Sequence, residues 1–328
     1  MSQAQRPAET VLVTGGAGFI GSHLVQHLRR SRQDWLVRVL DNLSTGKAET
    51  LHHLALDSMV EPVVGDILDE STLADAMRDV TRVFHLAANA SVPRSIEHPV
   101  ESLRVMVEGT LKVLEAARRA GAHRVVYAAS SSAYGDSMEP IKDETLRPMP
   151  RSPYAAAKLA GEHLMSAWHT CHGITTVSLR FFNVFGPRQD PASPYAAVIP
   201  RFIARMMRGE APLIEGDGHQ TRDFTYVENN AHACLLAAEA PEEAVAGRVF
   251  NIACGQAISL LQLVAILNDV LDTRIEAVHV APRPGDVRHS LASIEAAREA
   301  LRYHVQVDFL EGIRRTVACH QRDSYPAI

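Results

Sequence analysis

The chain lacks the marks of a disulfide-stapled, membrane-spanning or nucleic-acid-binding protein. Its four cysteines, Cys171, Cys234, Cys254 and Cys319, are scattered and form no C-x-x-C pair. They read as reduced thiols in a cytosol. His169, Cys171 and His172 cluster, but three candidate ligands on one short stretch without a fourth partner mark a helix end, so no metal is expected. No apolar run reaches the roughly 18 residues that a membrane span needs. Met1 to Thr10 is polar and has no apolar signal core, which reads as a short disordered lead-in and makes cytoplasmic residence the expectation. Formal net charge is -5 and no long basic run occurs, which argues against nucleic acid as a partner. A small anionic ligand is still allowed, because it needs only two or three local arginines.

What is present is enough for a core without staples. The 328 residues are 46% hydrophobic and 22% charged, as in an ordinary soluble globular protein of one large or two intimate domains. Val11–Val13, Leu36–Leu40, Val60–Val64, Arg82–Leu86, Arg124–Ala129 and Thr175–Phe181 read as strands. Between them, Phe19–Arg30, Leu103–Ala120 and Tyr154–His169 read as helices. Alternation of this kind predicts an α/β fold, a Rossmann-type doubly wound parallel sheet. Past residue 180 Gly and Pro become frequent and the alternation stops, although Arg222–Ala238 and Leu260–Leu271 look helical or mixed. We therefore expect a dinucleotide-binding domain over 1–180 and a smaller, interleaved substrate lobe over 181–328.

The first strand runs into VTGGAGFIG, with glycines at 15, 18 and 21 ahead of a helix. Glycine is needed where backbone turns tightly, approaches a pyrophosphate and packs against a strand, and the helix N-terminus offers free N–H groups to phosphate. Asp41 ends the next strand twenty residues after Gly21. An acid there binds the ribose hydroxyls and repels a 2′-phosphate, which favours NAD over NADP. Asp66 and Ile67, after the third strand, suit the adenine edge.

Tyr154 and Lys158 are four residues apart on a helix, hence on one face. A phenol titrates near pH 10, so a useful base at pH 7 needs roughly 3 units of stabilisation. Lys158 and a positive nicotinamide ring are the expected sources. Ser130, Ser131 and Ser132 follow the strand Arg124–Ala129 and so stand at the sheet edge that faces the ligand crevice. A hydroxyl there can share a proton with Tyr154.

The stretches VTGGAGFIGSHL, LDNLSTGK, FHLAANASV, AASSSAYGD, SPYAAAKLAGE, LRFFNVFGPRQ, GDGHQTRDFTYV and RPGDVRHS together resemble the extended short-chain dehydrogenases/reductases. The resemblance covers nearly the whole chain. Within that family it is strongest to the UDP-hexose 4-epimerases, particularly those accepting N-acetylhexosamines. It implies that Gly15, Gly18, Phe19, Ile20 and Gly21 line the pyrophosphate and that Asp41 and Asn42 hold the adenosine ribose. Asp66 and Ile67 then flank the adenine, and Leu86, Ala87 and Ala88 pass beside the cofactor. Tyr154 would be the acid/base, Lys158 its partner, and Ser130 the catalytic hydroxyl, with Ser131 as the competing choice. On the substrate side it implies Asn183 at a phosphate, Val198 and the preceding loop at the uracil, Arg222 and Arg283 at the diphosphate, and Asp286 at the uridine ribose. Ser290 matches a gate beside the sugar's C2 substituent, and its small side chain admits an N-acetyl group. A homodimer through the helices Leu103–Ala120 and Tyr154–His169 is also implied. Met106 is a departure, since the family usually has asparagine there and a thioether does not donate.

Transient oxidation at C4 followed by return of the hydrogen to the other face is the mechanism the resemblance implies. A 4,6-dehydratase or a UDP-glucuronate decarboxylase begins with the same oxidation. Those relatives usually carry carboxylates just after the catalytic hydroxyl, where this chain has Ser131 and Ser132. A simple reductase and a non-catalytic NAD-binding regulator on the same fold are further alternatives, against which the intact Tyr154–Lys158 pair argues.

Overall fold

A computed structural model describes residues 7–191, 196–282 and 288–324. Strand β1 (Glu9–Thr14) leads through the glycine turn into α1 (Phe19–Ser31) and β2 (Trp35–Asp41). The expected lead-in therefore ends earlier than Thr10, because Glu9 and Thr10 pair with Trp35 and Leu36. Then come α2 (Ala48–Leu54), β3 (Val60–Val64), α3 (Glu70–Ala76) and β4 (Val80–His85). The long helix expected over Leu103–Ala120 is interrupted. Two short helices, α4 (Val92–Glu97) and α5 (Pro99–Leu103), lead into a π-helical turn at Arg104–Glu108, and only then does α6 (Gly109–Ala120) begin. Strand β5 (Arg124–Ser130), the twenty-residue α7 (Pro153–His172) and β6 (Thr175–Phe181) complete the alternation.

Seven parallel strands form the main sheet, in the order β3-β2-β1-β4-β5-β6 followed by Arg248–Ile252. The chain winds outward from β1 to β3, returns to pair β4 with β1, and winds the other way. The crevice opens at that reversal, above the carboxyl ends of β1 and β4. Alternate residues of each strand enter different layers. Val11 and Val13 pack with Leu24, Val25 and Ala231 on one face, while Leu12 packs with Val113, Leu114 and Met165 on the other.

The segment past residue 180 splits its work. Phe202 and Ile203 of α8 (Val198–Met207) join Phe185, Tyr226, Leu263 and Phe309 in a separate apolar cluster. The region Arg222–Ala238 is mixed, as its pattern suggested: short strands at Thr221–Asp223 and Thr225–Tyr226 precede α9 (Val227–Glu239). Helix α9 packs against α1 under the main sheet, and Arg248–Ile252 supplies its outer strand. Leu260–Leu271 is a helix, started by a capping box between Ser259 and Gln262. Among the described residues no helix is long and apolar enough to cross a membrane.

Candidate active site

A cleft of about 1400 Å³ runs along the carboxyl edge of the sheet. Its floor begins at the glycine turn. Gly15 has φ of +72°, and a Cβ there would lie 2.8 Å from the backbone of Ala87. At Gly21 a Cβ would lie 2.1 Å from the Gly15 carbonyl oxygen, so helix and turn close only without side chains. No side chain caps the start of α1, and no acid sits in its first turn. The positive end of the helix is left to an anion.

Asp41 fixes the turn from the other side, accepting from Ala17 N at 2.9 Å and from Leu43 N at 2.8 Å. Asn42 donates to Asp66 Oδ2 at 2.9 Å, tying the ends of β2 and β3. Gly15, Gly18, Phe19, Ile20, Gly21, Asp41, Asn42, Asp66, Ile67, Leu86, Ala87 and Ala88 all line the cleft. Ile67 is nevertheless a core residue, buried against Gly109. A cradle that tolerates no Cβ, an uncapped helix start and a carboxylate at the ribose distance in sequence fit a dinucleotide.

Helix α7 presents the reacting end. The Ser152 side chain accepts from Ala155 N at 3.1 Å and Pro153 opens the first turn, so Tyr154 enters the helix at a fixed angle. The backbone N–H of Tyr154 donates to Ser95 Oγ, which anchors that turn to α4. Tyr154 and Lys158 both line the cleft. Lys158 is buried, donates from Nζ to the Ala128 carbonyl at 2.7 Å and lies over the Tyr127 ring. Burial pushes its ammonium down to about 8, against the opposing pull of Glu162 one turn along. Burial raises the Tyr154 phenol above its usual value, and the neighbouring Ser130 hydroxyl only partly opposes the shift.

Ser130 Oγ accepts from Ser132 N at 3.2 Å and from Ser132 Oγ at 2.9 Å. With its acceptor sites engaged by Ser132, its own hydrogen is left for the neighbouring Tyr154 phenol. Ser131 lines the cleft as well.

A buried relay runs behind the cofactor wall. Thr110 Oγ1 donates to the Met106 carbonyl in the π-turn and is bonded to His85 Nε2, while His85 Nδ1 is bonded to Thr14 Oγ1. Ala87 N donates in turn to Thr14 Oγ1. Thr110 has used its hydrogen, so it accepts from Nε2–H, and Thr14 donates to Nδ1. Burial, with Lys158 nearby, drives His85 down to about 3, so it is a neutral imidazole in this chain of bonds. Met106 itself is buried and contributes a carbonyl, not an amide.

Across the cleft, Asn183 donates to the Asp223 carbonyl at 3.2 Å, and Arg222 bonds to the Thr221 carbonyl at 2.8 Å. Ser290 N donates to Thr221 O, which brings Ser290 beside Arg222 on the cleft wall. Ala196 and Ala197 line the cleft, whereas Val198 turns toward the apolar cluster of α8. Arg283 and Asp286 lie outside the described residues.

Two features went unread in the sequence. Glu162 and Arg180 form a bidentate ion pair at 2.9 and 2.7 Å, with side chains only 3% and 4% exposed, and Arg180 stacks over Tyr134. Glu162 lies four residues past Lys158, and Arg180 is the lone charge in the strand TTVSLRF, so a signal was there. Asp223, fully buried, accepts from Cys254 N, Gly255 N and Ala292 N, which pins the strand carrying Arg222 to the segment behind Ser290.

The profile of the NAD dependent epimerase/dehydratase family matches residues 11–253. The UDP-glucose 4-epimerase of Mycolicibacterium smegmatis is 37% identical over 310 residues, covering 93% of this chain and 96% of that protein. The dTDP-glucose 4,6-dehydratase 1 of Escherichia coli is 32% identical, covering 94% and 91%. Among solved structures, UDP-N-acetylglucosamine 4-epimerase from Methanobrevibacter ruminantium, in complex with UDP-N-acetylmuramic acid, superposes with a TM-score of 0.91 at 39% identity, covering 97% of this chain and 99% of that one.

Proposed function

The chain belongs to the NAD-dependent epimerase/dehydratase family, with NAD as its cofactor, and on that premise we propose that it interconverts the C4 epimers of a UDP-hexose. The observation that carries this reading is the meeting of Ser130, Tyr154 and Lys158 with the glycine turn and Asp41 in one cleft whose far wall holds Arg222 and Ser290. When bound, NAD would supply the two-electron acceptor for the C4 hydride and would serve again as its donor once the 4-keto sugar has turned its other face.

Tyr154 takes the proton of the C4 hydroxyl as that carbon becomes a ketone, and returns it when the alcohol re-forms. Ser130 donates its hydrogen to the same oxygen and spreads the charge that develops there. Lys158 holds a positive charge beneath the phenol. The uncapped end of α1 and the Gly15 turn hold the pyrophosphate, and Asp41 with Asn42 the adenosine ribose. Arg222, with Arg283, grips the substrate diphosphate through charge-assisted bonds. Asp286 takes the uridine ribose, Asn183 a phosphate, and Ala196, Ala197 and Val198 the uracil. A small Ser290 leaves room for an N-acetyl group, so UDP-GlcNAc and UDP-GalNAc are substrates alongside UDP-Glc and UDP-Gal.

Elimination or decarboxylation needs a further acid or base beside the catalytic hydroxyl. Serines occupy those places, and Asp136 on the cleft wall is paired with Arg151 at 3.0 Å. We further propose a cytoplasmic homodimer joined through α6 and α7, supported by exposed apolar side chains at Val100 and Leu103 on α5 and at Leu111 on α6. The decisive experiment incubates the pure protein with UDP-GlcNAc, and separately UDP-Glc, without added NAD. Appearance of the C4 epimer supports the reading. Loss of water or CO₂, or no conversion with NAD bound, refutes it.

A further inference from the structure

An ammonium taken out of water needs compensation, and Lys158 is only 4% exposed. One of its N–H groups goes to the Ala128 carbonyl at 2.7 Å. The residue before Ala128 supplies the next source of negative potential. Lys158 Nζ lies 4.9 Å from the centroid of the Tyr127 ring, close enough for an aromatic face to hold a cation. Tyr127 is buried, and burial drives its phenol well above the usual range, so the ring stays neutral. Its hydroxyl has no hydrogen-bond partner among the described residues. What Tyr127 offers Lys158 is therefore the face of its ring, not its oxygen.

Helix α7 makes room for that ring. Gly161 stands three residues past Lys158, and a Cβ there would lie 2.3 Å from Tyr127 Oη and 2.5 Å from its Cζ. Other charges near the ammonium are already engaged. Tyr154 and Glu162 share its helix, and Glu162 is paired with Arg180 of β6 at 2.7 Å. His85 of β4, 5.6 Å from the Tyr127 ring, is neutral. On α4 to α6, Arg94 pairs with Glu101, Arg104 with Glu108 and Arg118 with Glu115, all near the surface.

We propose that Tyr127 is a positioning residue whose ring face keeps the Lys158 ammonium charged and in place beneath Tyr154. Its consequence for proton transfer rests on the functional reading above. The ring favours only the charged form of the lysine, so its removal lets the ammonium lose its proton at lower pH. Burial has already brought Lys158 down to about 8, which leaves little margin at pH 7.

The chain has only four lysines, Lys47, Lys112, Lys142 and Lys158. Labelling the lysine ε-carbons therefore gives a sparse NMR spectrum in which Lys158 is followed directly, assigned by its loss in Lys158→Met. Wild type with its NAD is compared with Tyr127→Leu, which removes the ring, and Tyr127→Phe, which keeps its face. A ring-fluorinated phenylalanine at position 127 keeps the shape and weakens the negative face. Tyr127→Leu is expected to lower the Lys158 titration midpoint, and the alkaline limb of kcat with it, by about one pH unit, the scale of a desolvated cation–π contact. The fluorinated ring should give about half that shift, and Tyr127→Phe should stay within about 0.3 unit of wild type. A merely structural role would lower kcat at every pH, or the melting midpoint, without moving the lysine. An unmoved Lys158 in Tyr127→Leu, or a shift in Tyr127→Phe as large as in Tyr127→Leu, overturns the proposal. If Tyr127→Leu does not fold, the fluorinated ring against Tyr127→Phe decides, and equal midpoints there overturn it. If the wild-type chain epimerises no UDP-hexose, the functional reading fails, and the lysine titration still decides the role of Tyr127.

Discussion

Replacing Glu162 by glutamine removes one half of a buried ion pair while keeping the side-chain shape. Arg180 would be left with its charge in the protein interior, where its Nη1 already has no partner. Breaking such a pair from one side costs about 3–5 kcal/mol. With roughly 2.1 cal/mol/K of unfolding entropy per residue, a 328-residue chain loses about 1.5 °C of midpoint per kcal/mol. The expected drop is therefore about 4–7 °C, read by thermal denaturation followed by circular dichroism. A double replacement, Glu162→Met with Arg180→Met, removes both charges and should return most of that loss, because no buried ion is then unpaired. Catalysis should respond separately. Glu162 is the group that opposes the lowering of Lys158 to about 8, so its removal lets the ammonium deprotonate at lower pH. The alkaline limb of kcat should move down accordingly. A Glu162→Gln midpoint within about 1 °C of wild type, or an unmoved alkaline limb, refutes this account.

Three other outcomes are expected. Tyr154→Phe should lower epimerisation by about 10²–10⁴-fold while NAD stays bound, as read by turnover and by nucleotide released on denaturation; near-normal turnover would remove Tyr154 from the mechanism. Gly15→Ala should yield protein with little NAD, because the new methyl meets Ala87 at 2.8 Å on a backbone already at φ +72°, and full NAD content would show that the turn yields. Asp223 titrates at about 6, raised from 3.8 by burial against the pull of four backbone N–H groups. A carboxyl whose folded value is raised favours folding while it is protonated. That contribution is complete below about pH 4 and lost as pH climbs through about 6, on the order of 3 kcal/mol in all. Denaturant unfolding of wild type against Asp223→Asn at about pH 4 and pH 7 should show the wild type losing ground as pH rises; a constant difference sinks the assignment.

The dinucleotide half of the molecule was legible because each signal there is local. A strand, three glycines and a helix fall within one turn of chain, and Asp41 follows at the next strand end. Tyr154 and Lys158 share a helix face, so spacing alone brought them together. What escaped depended on partners far apart in the chain. Arg180 reaches its carboxylate across to α7, and Asp223 gathers N–H groups from near residues 254 and 292. The break in the Leu103–Ala120 helix escaped for a different reason. A π-turn keeps helical composition and only shifts the phase, so periodicity reads straight through it.

Pairing of Arg248–Ile252 with β6 has a consequence for how the chain is made. All seven residues of β6 are buried in the finished protein, yet during synthesis β6 is the open edge of the sheet until the last strand emerges. The 66 residues separating Phe181 from Arg248 take a ribosome roughly 3–13 s at about 5–20 residues per second. Throughout that interval a strand with unpaired backbone groups is available to any other strand. The nascent chain is thus a natural client for chaperones, and a transcript truncated before codon 248 should yield aggregate and no dinucleotide-binding fragment.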